Sequence, residues 1–152
     1  MTTFTTRRRV PFTPQQMYAL VADVDKYPQF LPMCEQLTVR SRVLDGAHEK
    51  LVCDMRIGYG AINERFTCEV RLQPEIPFVR AAYIDGPFKQ LENRWTFVEA
   101  PNGACDIDFY IAYEFKSLML QMLMGGLFDS AFRRFTEAFE QRAHAVYGSR
   151  TA

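Results

Sequence analysis

At 152 residues the chain is long enough for one domain with a continuous core, and 48% apolar against 24% charged is the balance of a soluble globular protein. Eighteen basic residues cancel eighteen acidic ones, so no overall field recommends DNA or another polyanion as a partner. Four cysteines (Cys34, Cys53, Cys68, Cys105) lie far apart without a C-x-x-C, which signals neither a zinc site nor a redox pair.

A strand pattern begins almost at once, with no signal peptide or transmembrane run before it. The expectation is a cytoplasmic protein that meets a membrane only at its surface. Thr2 to Val10 is rich in β-branched residues and stops before Pro11, the pattern of a first strand. Arg7, Arg8 and Arg9 alternate in facing along it, as charge on a solvated edge strand does.

Thr13 is placed to cap a helix, with Pro14 at its first position and Gln16 at its third. Met17, Leu20, Val21 and Val24 form its apolar stripe, and Tyr27-Pro28 turns the chain into a second short helical piece ending near Phe30-Leu31-Pro32. Two short helices at this point suggest plugs for one end of a sheet.

The next hundred residues alternate. Gln36 to Leu44 places Leu37, Val39, Ser41 and Val43 on one face, and Asp45-Gly46 closes a hairpin. Leu51, Cys53, Met55, Ile57 and Tyr59 share a face of the following strand, where Gly58 and Gly60 permit a bend. Phe66, Cys68, Val70 and Leu72 then alternate with Arg65, Thr67, Glu69 and Arg71. Phe78 to Ile84 ends at Asp85-Gly86-Pro87; Leu91, Asn93, Trp95 and Phe97 follow on one face. In the last strand Cys105, Ile107, Phe109, Ile111, Tyr113 and Phe115 oppose Asp106, Asp108 and Glu114. Hairpin-length links make the seven strands antiparallel, and one polar face means the core is covered on one side only.

The missing cover is the final stretch, Leu118 to Tyr147, read as one amphipathic helix about 45 Å long. Its first part, Leu118 to Phe128, is apolar nearly all round and rich in methionine, with Gly125-Gly126 expected to weaken or bend it. Met119, Leu120 and Met122 are therefore expected to stay partly exposed, as the mark of a partner, membrane or ligand mouth. A buried first turn or a dimer contact would account for the same pattern. The whole, residues 1–152, reads as one α+β domain: a curved seven-stranded antiparallel sheet wrapped around a long C-terminal helix.

No nucleophile–base pair, phosphate-cradling glycine loop or H-E-x-x-H stands in the chain. His48 beside a hairpin turn and His144 near the helix end read as structural. The inward aromatics would serve equally as an ordinary core or as a pocket wall. The polar handles among them (Asn93, Tyr59, Tyr83, Tyr113 and the Trp95 indole) favour a pocket for a small molecule.

Tyr18, Val21, Asp23-Val24, Tyr27, Phe30-Leu31-Pro32 and Cys34 resemble the Y-x-x-V-x-D-V-x-x-Y-x-x-F-L/V-P-x-C signature of the coenzyme Q-binding START-like family. Gly86-Pro87-Phe88, Leu91, Trp95 and Phe97 resemble its G-P-F-x-x-L-x-x-x-W-x-F block, and Phe115-Lys116-Ser117 with Ala138-Phe139-Glu140 its closing helix. The resemblance implies the helix-grip fold, a lipid-sized cavity, and non-catalytic binding and delivery of ubiquinone or a prenylated precursor. It implies no other cofactor. The wider superfamily includes polyketide cyclases and dehydratases, and a close bacterial branch acts on ribosomal subunits, so a ribosome is the partner in the alternative reading.

On that basis the headgroup is expected among Trp95, Tyr83 and Phe88, with Leu91 beside them, and the tail along Met55, Phe66, Phe109, Phe128 and Phe132. Phe30, Leu31 and Leu123 would belong to the mouth that touches the inner membrane or a membrane-bound quinone enzyme.

Overall fold

Alternation along the strands becomes a single antiparallel sheet in the order β1-β7-β6-β5-β4-β3-β2. The computed structural model describes residues 1–59 and 62–148, the side chains of Tyr59 and Ile62 excepted. The predicted bend at Gly60 and the inward placing of Tyr59 therefore lie outside the described residues. β1 (Thr2–Val10) forms one edge beside β7 (Ala104–Phe115), and β2 (Cys34–Asp45) forms the other. Between them run β3 (His48–Tyr59), β4 (Ile62–Gln73), β5 (Phe78–Asp85) and β6 (Phe88–Ala100).

Thr13 caps α1 (Pro14–Ala22) by the expected capping box: its hydroxyl accepts from the Gln16 N–H at 3.1 Å, and the Gln16 side chain accepts from the Thr13 N–H at 2.9 Å. Met17 and Val21 are fully buried under it, and a 3-10 turn over Val24–Gln29 leads to the loop 30–33. The loop is pinned to the end of β3, where the Gly58 N–H donates to the Met33 carbonyl at 3.0 Å. At the β5–β6 turn Gly86 has φ +140°, and a Cβ there would stand 2.6 Å from that of Phe66. Only glycine fits so close an approach.

The C-terminal cover is two helices, not one: α2 (Leu118–Arg133) and α3 (Phe135–Tyr147). The expected weak point at Gly125-Gly126 is intact helix. A Cβ at Gly125 would meet only the movable end of the exposed Gln121 side chain, so the helix continues through both glycines without a packing need for them. The break falls at Arg134, whose N–H reaches back three residues to the Ala131 carbonyl at 3.0 Å, while its own carbonyl starts α3 by accepting from Ala138 at 2.9 Å. Phe132 and Phe135 flank the break with their rings edge to face at 5.2 Å, both turned to the core.

β2 departs from its predicted facing in its second half. Leu37 and Val39 oppose Met55 and Cys53, but a register shift between Val39 and Ser41 then puts Arg42 opposite Leu51 and Val43 opposite Lys50. One extra residue flips every later side chain to the other face. Ser41 and Val43 are thus exposed, and Arg42 instead bonds Glu49 at 3.0 Å and Asp25 at 3.5 Å. The remaining alternation holds, with Leu51, Ile57, Leu72, Val79, Trp95, Phe97, Ile107 and Tyr113 in one core against α2 and α3. The sheet grips the C-terminal helices in the helix-grip arrangement.

Candidate functional site

The concave face of the sheet does not close fully on the helices. Between them lies a cavity of about 110 Å³. Its floor comes from Cys53, Met55 and Ile57 on β3, Phe66, Cys68 and Val70 on β4, and Leu91, Asn93 and Trp95 on β6. Phe128, Ala131, Phe132, Phe135 and Phe139 form the roof, and Leu31, Pro32 and Met33 stand at one end. Pro32, Met33, Met55 and Phe66 are only half-buried, so the cavity nears the surface where the loop 30–33 and the ends of β3 and β4 meet.

The lining is almost wholly apolar, and its polar groups are turned toward the protein. The Asn93 amide donates to the Tyr110 carbonyl at 2.9 Å and its oxygen accepts the Trp95 indole N–H at 2.9 Å. Tyr27 donates its hydroxyl to the Val21 carbonyl, and burial drives its phenol far above the ordinary range. No buried side-chain nitrogen or oxygen among the described residues lacks a partner. The polar handles therefore serve internal needs and leave the cavity dry, because a water inside would find few partners. Burial also raises the thiols of Cys53 to about 11 and Cys68 to about 12, so both walls are uncharged at neutral pH.

An empty apolar space costs stability. At about 24 cal/mol per Å³ the void forgoes on the order of 2–3 kcal/mol, which an apolar guest would recover. Apolar cavities of similar size accept a benzene-sized ring. At about 110 Å³ the space is on the scale of a small ring or one isoprene unit, and a longer chain would need its walls to move.

Of the residues expected at the ligand, Leu31, Met55, Phe66, Leu91, Trp95, Phe128 and Phe132 line this cavity. The others do not. Phe88 is fully buried and packed solid by the rings of Phe66, Phe115 and Phe128 at 5.5, 4.9 and 5.6 Å. The Tyr83 hydroxyl is occupied behind it, accepting from the Phe88 N–H at 3.1 Å. Phe109 is wedged between Trp95 at 4.7 Å and Phe4 at 6.1 Å. Phe30 packs on Phe139 at 5.0 Å under the Arg142 guanidinium. Leu123 points outward and is 60% exposed, because it lies off the face of α2 that buries Met124 and Phe128. Tyr27, Asn93, Ala131, Phe135 and Phe139 belong to the lining instead. Ala131 and Phe135 each sit three residues along, from Phe128 and Phe132 respectively, a helical spacing that could have nominated them.

Outside the cavity, α2 presents Leu118, Met119, Met122 and Leu123 to solvent at 60 to 85% exposure. Met119 and Met122 are exposed and Leu120 is partly exposed, as the apolar run predicts. No helix among the described residues is long and apolar enough to span a membrane. Several arginines of the outer face are paired with carboxylates: Arg9 bonds Asp106 at 2.9 Å, Arg7 lies 3.3 Å from Asp108, Arg40 bonds Asp54 at 2.5 Å, and Arg8 turns inward to Glu140 at 2.6 Å. His48 pairs with Glu75, and His144 meets Phe12 edge to face at 4.9 Å. No group of three or more metal-binding side chains occurs among the described residues.

Residues 10–140 match the family described as polyketide cyclase / dehydrase and lipid transport. The ribosome association toxin RatA of Vibrio cholerae is 33% identical over 139 residues, covering 91% of this chain and 93% of that protein. The mitochondrial coenzyme Q-binding protein COQ10 homolog B of Xenopus laevis is 35% identical over 141 residues, covering 90% of this chain but 56% of that longer protein. The solution structure of an 18 kDa protein of Caulobacter crescentus superposes with a TM-score of 0.81 at 30% identity, covering 98% of this chain and 100% of the other.

Proposed function

The chain belongs to the polyketide cyclase / dehydrase and lipid transport family, and we propose that within it the protein is a non-catalytic carrier of ubiquinone or a late prenylated precursor. The observation that carries this reading is the dry, aromatic-lined cavity, which suits an apolar ring or an isoprene unit and offers no charge to hold anything else. The likeness to a coenzyme Q-binding protein points the same way. Delivery to respiratory or biosynthetic quinone enzymes gives the cavity a use, since a prenyl tail gains about 0.8 kcal/mol for every methylene kept from water.

The exposed apolar face of α2 would supply the means of loading. Leu118, Met119, Met122 and Leu123 would dip into the bilayer surface, with Lys116 on one flank and Arg133 and Arg134 on the other against anionic headgroups. The protein then stays at the membrane periphery while its guest moves.

Organic extraction of protein purified from its host, followed by mass spectrometry, is expected to yield a quinone. Filling the cavity by Ala131→Trp should lower binding of a short-tailed ubiquinone analogue at least tenfold in a fluorescence titration. Protein that is consistently empty, with unaltered binding by the filled variant, would sink the reading.

A ribosome-directed role is favoured by one observation, the match to RatA along nearly its full length. It requires salt-sensitive attraction to phosphate, and the carboxylates paired with Arg7, Arg9 and Arg40 weigh against that. Sucrose-gradient co-sedimentation with large subunits separates the two readings. A cyclase-like activity needs an acid–base pair at the substrate, and the described lining residues include no histidine or carboxylate.

A further inference from the structure

β3 and β4 run antiparallel with Cys53 directly opposite Cys68. Both side chains face inward, both line the cavity, and they are 4% and 6% exposed. Opposed residues of an antiparallel pair have Cα atoms about 4.5 or 5.5 Å apart, depending on their hydrogen bonding. Either separation falls inside the span of about 4.4–6.8 Å that a disulfide bridges. The other two cysteines lack this arrangement: Cys34 stands opposite Ile57, and Cys105 between Val10 and Glu99. Neither lines the cavity, and all four are free thiols.

Resting on the quinone reading of the cavity, we infer that Cys53 and Cys68 are a two-electron thiol pair in its wall, oxidised to a cross-strand disulfide by a quinone bound against them. Two S–H bonds break and one S–S bond forms. The two electrons and two protons pass to the quinone, whose two carbonyl oxygens become the hydroxyls of a quinol. The position of the pair selects its oxidant. Burial keeps both thiols protonated, so the thiolate that dissolved oxidants and alkylating agents require is scarce. A quinone inside the cavity brings both the electron acceptor and the proton acceptor to the wall. The pair thereby distinguishes an oxidised guest from a reduced one, and its state records which has been carried.

The test uses the intact wild-type protein, anaerobically, with a short-tailed ubiquinone analogue. Trp95 is the only tryptophan and lies in the wall, so quenching of its fluorescence reports binding independently of redox chemistry. The expected result is quenching, a fall in titratable thiols from four to two, one quinol formed per protein, and a disulfide-linked peptide joining Cys53 to Cys68. Cys34→Ser and Cys105→Ser should each still lose two thiols, whereas Cys53→Ser and Cys68→Ser should lose none and form no quinol. Peptide mapping of the wild type decides the matter should a serine variant fail to fold. Quenching with all four thiols retained overturns the redox step and leaves the carrier reading standing. A disulfide mapped to any other pair overturns it as well, and absence of quenching overturns both.

Discussion

The two halves of the C-terminal cover are held in opposite ways. α3 is polar outside and tied down along its length. Phe139 sits among Tyr27, Phe30 and Trp95 at 5.5, 5.0 and 5.0 Å, Glu140 accepts from Arg8 at 2.6 Å, and the Tyr147 hydroxyl donates to the Gln16 carbonyl at 3.0 Å. α2 is apolar outside and inside. It is fastened through Met124, Phe128, Ala131 and Phe132, while Leu118, Met119, Met122 and Leu123 face water. Its few side-chain hydrogen bonds are local, such as the Ser117 hydroxyl accepting from the Leu120 N–H at 3.1 Å and Arg133 bonding Asp129 at 3.3 Å. The lesson is a division of labour. α3 staples the first third of the chain to the sheet, and α2 roofs the cavity on one face while leaving the other apolar and open.

That contrast can be broken most severely at Phe139. Phe139→Ala should lower unfolding free energy by about 3–5 kcal/mol in a denaturant titration, because its 1% exposed ring joins three elements. A loss below about 1 kcal/mol would mean that α3 is not the staple. The outer face of α2 should behave in reverse. Leu118→Ser with Met122→Ser should change stability by no more than about 0.5 kcal/mol, yet reduce sedimentation with anionic phospholipid vesicles at least tenfold.

Smaller effects sharpen the comparison along β1, which α3 reaches through Arg8 and Glu140. Glu140→Ala removes the partner of a partly exposed Arg8 and should cost up to about 1 kcal/mol by the same titration. The smallest is a pH effect. Arg9, by its hydrogen bond, holds the Asp106 carboxyl below its ordinary range. A carboxylate depressed in the folded state contributes stability above its unfolded pKa of about 4, and loses it as pH falls through the folded value. Asp106→Asn should therefore flatten the acid limb of a melting-temperature profile below about pH 4 and leave the neutral region nearly unchanged.

Much of this was legible before folding because the relevant physics is local. Period-two alternation marked β3, β4, β6 and β7, since a strand has only two faces; the T-P-Q-Q run of α1 carries its own cap; and the excess of leucine and methionine at 118–123 could not all be buried on one helix face. Asn93, Tyr83 and Trp95 show the limit. As letters they are polar groups on an apolar face, which reads as a site, and only their hydrogen bonds to Tyr110, Phe88 and one another reveal groups already satisfied.

What the sequence by itself determined is the set of elements, the single polar face of the sheet and the apolar character of what lies beneath it, because each depends on residues a few positions apart. The tertiary structure alone decided the break at Arg134, the flip of β2 after Val39, the burial of Phe88 and Phe109 away from the cavity, and the meeting of Cys53 with Cys68. These depend on register and on which side chains reach the same space from distant parts of the chain. A one-residue slip leaves the spacing of letters unchanged while reversing what every later side chain touches.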